Sequence, residues 1–564
     1  MPVREACARP GRTRRVTAHD SRLVLGPLLR YVDQTSAAVW VEVAEPTDVT
    51  VSVADRDHTA HTFTVHGHHY ALVDIDGLSA GRSYPYTVSV GGTQVWPPAD
   101  SSYPPSRIRT IGDDNKLRLA FGSCRTTAPH DAENNRSHGP DMLRAMGHRL
   151  MQTDDTEWPT IVLLLGDQVY ADETSEDMQS YIAGKRDINE PPGEELQDYD
   201  EYAYLYRLAW TDPDCRWLLS TLPSAMIFDD HDIRDDWNTS DVWRRQMAET
   251  SWWHQRIVSG LGSYWVYQHI GNLSRAERED EPLWHKVLET GRDGDAGDLL
   301  DEFAAEADAK PASYRWSYHR DLGRTRLLMV DSRAARELDD KPRKMLDAAE
   351  ADWLDDVLTG EVDHLLFGTS LPFLLPIGLH HLEAWNEAVA AGAWGGRAAR
   401  VGERIRQAID LEHWAAFQDS FQRVGRAMLD VANGRRGSTP ATVLFLSGDV
   451  HHSYLAEVRR KSAASSRILQ AVCSPIRNPM PRWARWMSAV SVRGFTRPVG
   501  ALAGRAAQVR KPPFRWSITE GPWFDNTIAV LDIDGRQADL RWHTADVDGD
   551  DSPKLRLLES VRLG

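Results

Sequence analysis

The pattern of apolar and polar positions divides the chain into two parts with different periodicities. Between residues 21 and 110, short segments such as "SAAVWVEVAEP" and "YPYTVSVGG" alternate apolar and polar residues, and turn residues separate them. Alternation with a period of two predicts half-buried strands. Several short strands at this spacing predict a small all-β sandwich of the immunoglobulin or fibronectin kind.

From residue 115 onward, short apolar runs alternate with longer segments of helical periodicity. The runs "LRLAFGSCR", "TIVLLLGDQVYAD", "SAMIFDDHD" and "TVLFLSGDVHHSYL" each read as a buried strand followed by a polar cluster. In α/β sheets, ligands bind beyond the carboxyl ends of the strands, so we expect these clusters to converge in space. "NTIAVLDIDGRQADLRWHTA" predicts a closing hairpin with its turn at Asp534-Gly535.

Four segments follow from these patterns and from the length of 564 residues. We expect a disordered basic tail at 1–20, the β-sandwich module at 21–110, an α/β catalytic domain at 115–548 and a C-terminal tail at 549–564.

Composition and charge exclude several functional classes. The net charge of −18 argues against a general nucleic-acid or anionic-membrane binder, and no specific nucleic-acid binding is predicted. No stretch of eighteen apolar residues exists, so no transmembrane segment is expected. The basic segment 481–516 contains interleaved Trp and Val, which fits either peripheral membrane contact or an amphipathic segment packed on the domain; the second interpretation is preferred.

The N-terminal sequence and the cysteines favour a cytoplasmic protein. The twin arginine Arg14-Arg15 is not followed by the uninterrupted apolar run that an export signal needs, although twin-arginine export stays an alternative. The four cysteines are scattered, which favours a reducing compartment over a disulfide framework.

The predicted strand ends carry a surplus of oxygen ligands, with imidazoles and one thiol. Each motif alone could be an acidic turn, but buried carboxylates need cations to offset them. Two or more metal ions would do so, and would polarise a phosphoryl oxygen and activate a hydroxide. The residues are Cys124, Asp167, Tyr170, Asp172, Asp229, Asp230, His231, Asp232, Asp235, Asp236, Asn238, Asp449, His451 and His452.

Cys124 has two interpretations. A thiol phosphatase places an arginine six positions after its cysteine, and His130 stands there, so a nucleophilic role is rejected. Cys124 is therefore either a thiolate metal ligand or a small buried apolar residue.

The motifs "FGSCR", "GDQVYAD", "DDHD" and "GDVHH", in this order behind a β-rich module, resemble the PhoD-like (alkaline phosphatase D) family of metallophosphatases. The resemblance implies a four-layer αββα core around a metal cluster and phosphomonoesterase or phosphodiesterase activity. It also implies ferric iron together with calcium, with other divalent metals as alternatives.

The resemblance also implies roles for individual residues. It implies metal ligation by Cys124, Asp167, Tyr170, Asp449 and His451. Asp167 would bridge two metals, and Asp230 and His231 would be catalytic, with His231 binding phosphate or protonating the leaving oxygen. The family's asparagine ligand lies four residues beyond the histidine, where this chain has Asp235; Asn238 is the second candidate for that position.

The substrate side is less specific. Arg477 and His452 are predicted to bind a phosphate-ester substrate, either a small molecule or a polymer. A further group either lines the mouth of the cleft or forms part of a helix with its own core face: His380, His381, Glu383, Trp385 and Asn386. The function predicted is a metal-dependent phosphoesterase, and the alternative is a non-catalytic, metal-containing binding or scaffold protein on the same fold.

Overall fold

The computed structural model describes residues 22–339, 342–460, 462, 465–480, 504, 506–547 and 553–564. The tail predicted at 1–20 lies outside the described residues, as does most of the basic segment 481–516. None of the described helices has the length and apolarity that a bilayer crossing requires.

The N-terminal part is the predicted β-sandwich. One sheet has the order β1-β2-β6-β5 and the other β4-β3-β7-β8, with β9 paired to β7. Valines from both sheets, including Val39, Val49 and Val73, form a common core. The strands are β1 (Leu23–Val32), β2 (Ala37–Val43), β3 (Asp48–Val53), β4 (Arg56–His61), β5 (Phe63–Val65), β6 (His68–Ile75), β7 (Ser83–Val90), β8 (Thr93–Trp96) and β9 (Arg107–Arg109).

The larger part contains two mixed sheets. The first has the order β12-β11-β10-β20-β21-β22, in which β10, β11 and β12 are parallel and β20 is antiparallel to β10. Its strands are β10 (Lys116–Gly122), β11 (Ile161–Leu165), β12 (Ser224–Ile227), β20 (Ile528–Asp534), β21 (Gln537–Val547) and β22 (Pro553–Arg562).

The second sheet has the order β13-β14-β15-β16-β18-β17-β19. The four consecutive strands β14, β15, β16 and β18 are parallel to one another. Its strands are β13 (Tyr318–Leu322), β14 (Thr325–Met329), β15 (His364–Gly368), β16 (Thr442–Ser447), β17 (Ser453–Val458), β18 (Arg467–Val472) and β19 (Trp516–Trp523).

The alternation of side chains along β15 and β16 explains the layering. Leu366 and Leu444 belong to the core cluster that contains the first sheet, whereas Phe367 and Phe445 belong to a second cluster with helices on the opposite face. Because successive residues of a strand point to opposite faces, the second sheet packs on the first sheet with one face and on helices with the other. The predicted four-layer αββα core is confirmed.

The described helices lie mainly between strands. They are α1 (Ala132–His138), α2 (Met142–Met151), α3 (Glu176–Lys185), α4 (Tyr199–Trp210), α5 (Pro213–Thr221), α6 (Asp241–Ala248), α7 (Trp253–Tyr264), α8 (Arg275–Glu279), α9 (Pro282–Asp293), α10 (Gly297–Ala309), α11 (Ala348–Val357), α12 (Ile377–Ala390), α13 (Gly396–Ala408) and α14 (Gln418–Ala432).

The C-terminal region gives one agreement and one correction. The predicted hairpin is present as β20 and β21, with Gly535 in the left-handed region at its turn. The tail expected at 549–564 instead contains β22, which pairs with β21 along its length. The charged sequence of β22 resembles a solvated tail because this strand lies at the sheet edge.

Candidate metal centre

The strand ends of the two core sheets meet, as the sequence predicts. Cys124 follows β10, Asp167 follows β11, and Asp229 and Asp230 follow β12, so three adjacent parallel strands deliver them to one edge. Asp449 arrives from β16 of the other sheet. The site therefore lies where the carboxyl ends of both sheets come together.

Five of the predicted ligands have a strained backbone. Positive φ angles occur at Cys124 (57°), Asp167 (48°), Asn238 (60°), Asp449 (65°) and His451 (50°). A left-handed conformation costs a non-glycine residue on the order of 1 kcal/mol or more, so surrounding contacts must hold it. Such strain is concentrated at functional sites, and here it turns side chains abruptly out of the strand direction.

Two glycines allow the strand ends to approach each other. A Cβ on Gly448 would lie 1.7 Å from Ser123 Oγ, and a Cβ on Gly166 would lie 2.6 Å from the Cβ of Asp229. Gly166 also has a φ of +101°. Only glycine fits both requirements at Gly166, so this residue fixes how close the ends of β11 and β12 come.

The carboxylates form a compact group that fits cations. Ligand atoms of Asp167, Asp229, Asp230 and Asp449 all lie within 4.8 Å of one another. Asp167 Oδ1 and Asp229 Oδ2 are buried and accept no hydrogen bond from the described residues. Burial raises the pKa of Asp167 well above its usual range, and the Cys124 thiol and Asp229 add to the shift. Buried, unsatisfied carboxylate oxygens facing one another are the surroundings that a bound metal ion would offset.

Cys124 and Tyr170 lie beside Asp167. The Cys124 Sγ is 3.3 Å from Asp167 Oδ2, and the side chain is fully buried. Burial raises the pKa of the Cys124 thiol to about 12, and burial followed by the charges of Cys124 and Asp167 raises the pKa of Tyr170 well above its usual value. These shifts describe the side chains alone, and a coordinated cation would reverse them by stabilising thiolate and phenolate.

His231 is held by Asp172, the acidic residue to which the sequence assigns no role. Its Nδ1 lies 2.9 Å from Asp172 Oδ1. Burial alone would lower the pKa of His231, but the carboxylate of Asp172, together with those of Asp230 and Asp167, more than offsets this and raises the pKa well above 6.5. Because Asp172 fixes Nδ1, Nε2 is the nitrogen left for chemistry. Nε2 lies 3.9 Å from Asp235 Oδ1.

The structure separates the two candidates for the family's asparagine position. Asp235 forms a second group of close ligand atoms with Asp230 and His231. Asn238, in contrast, donates from Nδ2 to the carbonyl of Arg333 and accepts from Arg244 at Oδ1. Its amide is thus engaged in holding two arginines, and the structure favours Asp235.

Arg333 lies in the middle of the carboxylates, and the sequence analysis missed it. Its Nε is 2.5 Å from Asp229 Oδ1, its Nη1 is 2.6 Å from Glu412 Oε2, and its Nη2 is 3.2 Å from Asp230 Oδ1. The side chain is completely buried. Arg333 is therefore a fixed cation of the site. It follows β14 in "RLLMVDSR", so the strand-end pattern was a signal that could have found it.

A second missed group supports Asp449 and involves His413. His413 Nε2 is 3.0 Å from Asp449 Oδ2, and its Nδ1 is 2.8 Å from Glu383 Oε1 on α12. Glu383 is a member of the group with two interpretations, and it contacts the centre through His413. His451, the next predicted ligand, has its pKa lowered to about 4 by burial, so its imidazole is neutral, as a metal ligand must be.

Two other members of that group, His380 and Asn386, serve the helix. His380 packs on Phe421 and Trp516, and the Asn386 amide donates to the carbonyl of Gly402 at 2.8 Å. Both contacts belong to the core-face interpretation of α12.

The two predicted substrate-binding residues make contacts within the protein. The Arg477 guanidinium donates to the carbonyls of Ala128 and Pro129, the latter at 2.8 Å. His452 binds the carbonyl of Val450 through Nδ1 at 2.7 Å, and its ring packs on Tyr454. Both side chains are buried. The Arg477 guanidinium is therefore engaged in tying loops together, whereas His452 Nε2 has no hydrogen-bond partner among the described residues and its substrate role stays a prediction. The sequence pattern could not separate an arginine that ties loops together from one that faces a ligand.

Comparison with known proteins gives a family match and structural relatives. The sequence profile of the PhoD-like phosphatase family matches residues 142–485, more than half of the chain. A second profile, a domain of unknown function (DUF7800), matches residues 20–108. No curated protein matches the chain at a significant level.

Two solved structures are similar over most of the chain. The structure of PhoD has a TM-score of 0.56 at 12% identity and covers 96% of this chain and 91% of that one. The purple acid phosphatase PPD1 from yellow lupin (Lupinus luteus) seeds has a TM-score of 0.47 at 12% identity and covers 95% of this chain and 73% of that one. At this identity, the likeness to PhoD shows the fold.

Proposed function

We propose that this chain, which belongs to the PhoD-like phosphatase family, hydrolyses phosphate monoesters or diesters at the metal centre described above. The observation that carries the proposal is the convergence of Asp167, Asp229, Asp230 and Asp449 within 4.8 Å, next to a histidine held by Asp172. Metal ions bound there would polarise the phosphoryl oxygen and activate the attacking water.

The residues of the chain have separable roles in this proposal. Asp167 lies beside Cys124 and within the acidic group, so it would hold the position between two ions. Arg333 offsets part of the negative charge before any ion binds, which keeps the carboxylates in place in the buried site.

His231 would serve the leaving group. Asp172 holds its Nδ1, keeps it protonated and so leaves Nε2–H as a donor. A protonated imidazole with one fixed nitrogen can give its proton to the departing ester oxygen. The placement of His231 beside Asp230 and Asp235 keeps this donor next to the acidic group.

The donor set supports iron together with calcium. Cys124 and Tyr170 offer a thiolate and a phenolate near Asp167, which suit a ferric ion. Asp230 and Asp235 offer the carboxylate oxygens that calcium prefers. A tyrosinate bound to ferric iron absorbs visible light, so elemental analysis combined with an absorption spectrum tests this assignment. A colourless, iron-free and active enzyme would refute it.

The activity is tested with p-nitrophenyl phosphate and bis-p-nitrophenyl phosphate. We expect turnover by the wild type and a loss of more than about 100-fold in Asp167→Asn, since that variant removes a ligand rather than a residue that orients one. Asp177→Asn, the same substitution at an exposed position of α3, is the matched control and should retain full activity. Equal rates in the wild type and Asp167→Asn would overturn the proposal, and bound metal without turnover would identify a binding protein instead.

A further inference from the structure

Exposed apolar side chains are concentrated on one face of the molecule. Among the described residues, six large apolar side chains are prominently exposed, and three of them lie in or beside α13: Trp394 (48%), Val401 (54%) and Ile409 (53%). A fourth, Val242 (36%), is on α6. Val242 and Arg400 line the same cavity of about 430 Å³, so α6 and α13 are neighbours at this surface.

The same face is basic. Arg397, Arg400 and Arg404 are all exposed, and their spacing of three and four residues places them on the outer side of α13 with Val401. None of the three forms an ion pair or a hydrogen bond with any residue in the described ranges. The opposite side of α13 is buried at Gly402 and Arg406.

Within α13, acidic side chains do not cancel this charge. The only carboxylate between Trp394 and Ile409 is that of Glu403, which binds Arg406 at 2.6 Å and Gln407 at 2.8 Å and also accepts from Ser240. Two more lie at the border: Asp241 on α6 pairs with Arg245, and the exposed Asp410 follows Ile409. We name the surface formed by Val242, Trp394, Val401, Ile409 and the three arginines of α13 the α13 face. In a chain whose net charge is −18, it is a local cationic and apolar surface.

We propose that the α13 face docks on the surface of an anionic phospholipid bilayer. Exposed arginines attract the anionic headgroups, and the exposed Trp, Val and Ile side chains enter the interface between headgroups and acyl chains. A soluble polyanion would engage the arginines but would leave the apolar side chains in water. The neighbouring basic segment touches the α13 face at Trp394, whose indole N–H donates to the carbonyl of Ala506 at 3.2 Å. Residues 481–511 contain arginines and no Asp or Glu, so charge does not favour them as the occupant beside the three arginines of α13.

Docking in this orientation has a direct link to the metal centre. The exposed helix ends at Ala408, and four residues later Glu412 binds Arg333, followed by His413 on Asp449. The face that meets the membrane is thus joined by a short segment to residues that hold the carboxylates. The docking proposal does not depend on which ester the centre hydrolyses.

Sedimentation with vesicles tests the proposal. The full-length protein is mixed with vesicles of phosphatidylcholine alone or of phosphatidylcholine with phosphatidylglycerol, and the bound fraction is measured over a range of salt concentrations. We expect binding to the anionic vesicles only, weakened by salt. Replacing the three arginines of α13 together with glutamine should reduce the affinity by about fivefold each, on the order of 100-fold in total.

Matched variants separate the α13 face from the rest of the surface. Trp394→Ser and Val401→Ser should each weaken binding, whereas Leu557→Ser, which removes an equally exposed side chain (51%) on β22, should not. The turnover of a water-soluble p-nitrophenyl substrate and the thermal melting curve show that each variant is folded. The proposal is overturned if the wild type does not bind anionic vesicles, or if the triple arginine variant binds them as the wild type does.

Discussion

Replacing Arg333 with methionine should make the stability of the protein depend strongly on its metal ions. Arg333 is completely buried and contacts Asp229, Glu412 and Asp230 at 2.5, 2.6 and 3.2 Å. At an effective dielectric constant of 20, a pair of unit charges 4 Å apart interacts by about 4 kcal/mol. The cost of desolvation offsets much of this gain, and removing one partner of a buried ion pair has a net cost of about 3–5 kcal/mol.

The assay compares unfolding with and without metal. In chelator, we expect the free energy of unfolding of Arg333→Met to be about 3–5 kcal/mol below that of the wild type, because the carboxylates are left without a cation. With metal ions in excess, the loss should be smaller, since bound ions offset the same charges and ligand binding adds to stability. The measured quantity is the difference between the loss of unfolding free energy in chelator and the loss with metal ions in excess.

The control is Arg320, a buried arginine that forms no ion pair with a carboxylate of the described residues. Arg320 donates to the carbonyl of Asn272 at 2.9 Å and stacks on Tyr31. Arg320→Met should be destabilised to the same extent in chelator and in metal. If Arg333→Met showed the same loss under both conditions, the idea that Arg333 and the ions offset the same carboxylates would be wrong.

Three further outcomes are expected. Gly166→Ala should be both less stable and nearly inactive. The new Cβ would lie 2.6 Å from the Cβ of Asp229, and the residue has a φ of +101°. Urea unfolding measures the loss of stability, and p-nitrophenyl turnover measures the loss of activity. Asp172→Asn should lower kcat by about 10- to 100-fold with little change in bound metal. The reason is that His231 loses the carboxylate that holds its ring and raises its pKa. Metal content is measured beside kcat, and a parallel fall of metal content and kcat would contradict this prediction. Burial opposes ionisation of Asp141, but the buried Arg125 holds the pKa of this carboxyl below its usual value. Ionised Asp141 should therefore stabilise the protein above the unfolded-state pKa of about 4, and this contribution should be lost as the pH falls below about 4. The stability gap between the wild type and Asp141→Asn should therefore be largest at neutral pH and narrow in acid, as urea unfolding across pH would show.

The acidic part of the site could be predicted because its residues share a position in the fold. Asp167, Asp230 and Asp449 each follow an apolar run, and parallel strands deliver such residues to one edge. Strand periodicity also predicted the sandwich and the closing hairpin. These features depend on local sequence patterns, which are preserved in the final fold.

The rest of the site depends on contacts between distant segments. His413 reaches Asp449 from the loop after α13, where no periodic pattern marks it, and Arg333 was overlooked because a metal site was expected to contain anions. Arg477 has the strand-end position but points to the carbonyls of a loop. Sequence position predicts which residues reach the edge, but the direction of each side chain is decided by its tertiary neighbours.

The strand order of the first core sheet has a consequence for synthesis of the chain. β10, which leads to Cys124, is flanked on one side by β11 and on the other by β20, more than 400 residues later in the sequence. Until the ribosome has made β20, one edge of β10 has no strand to pair with, and an unpaired edge is a template for the wrong partner. The centre of this sheet is therefore among the last parts of the protein that can be finished, and the growing chain needs protection there until its C-terminal hairpin has emerged.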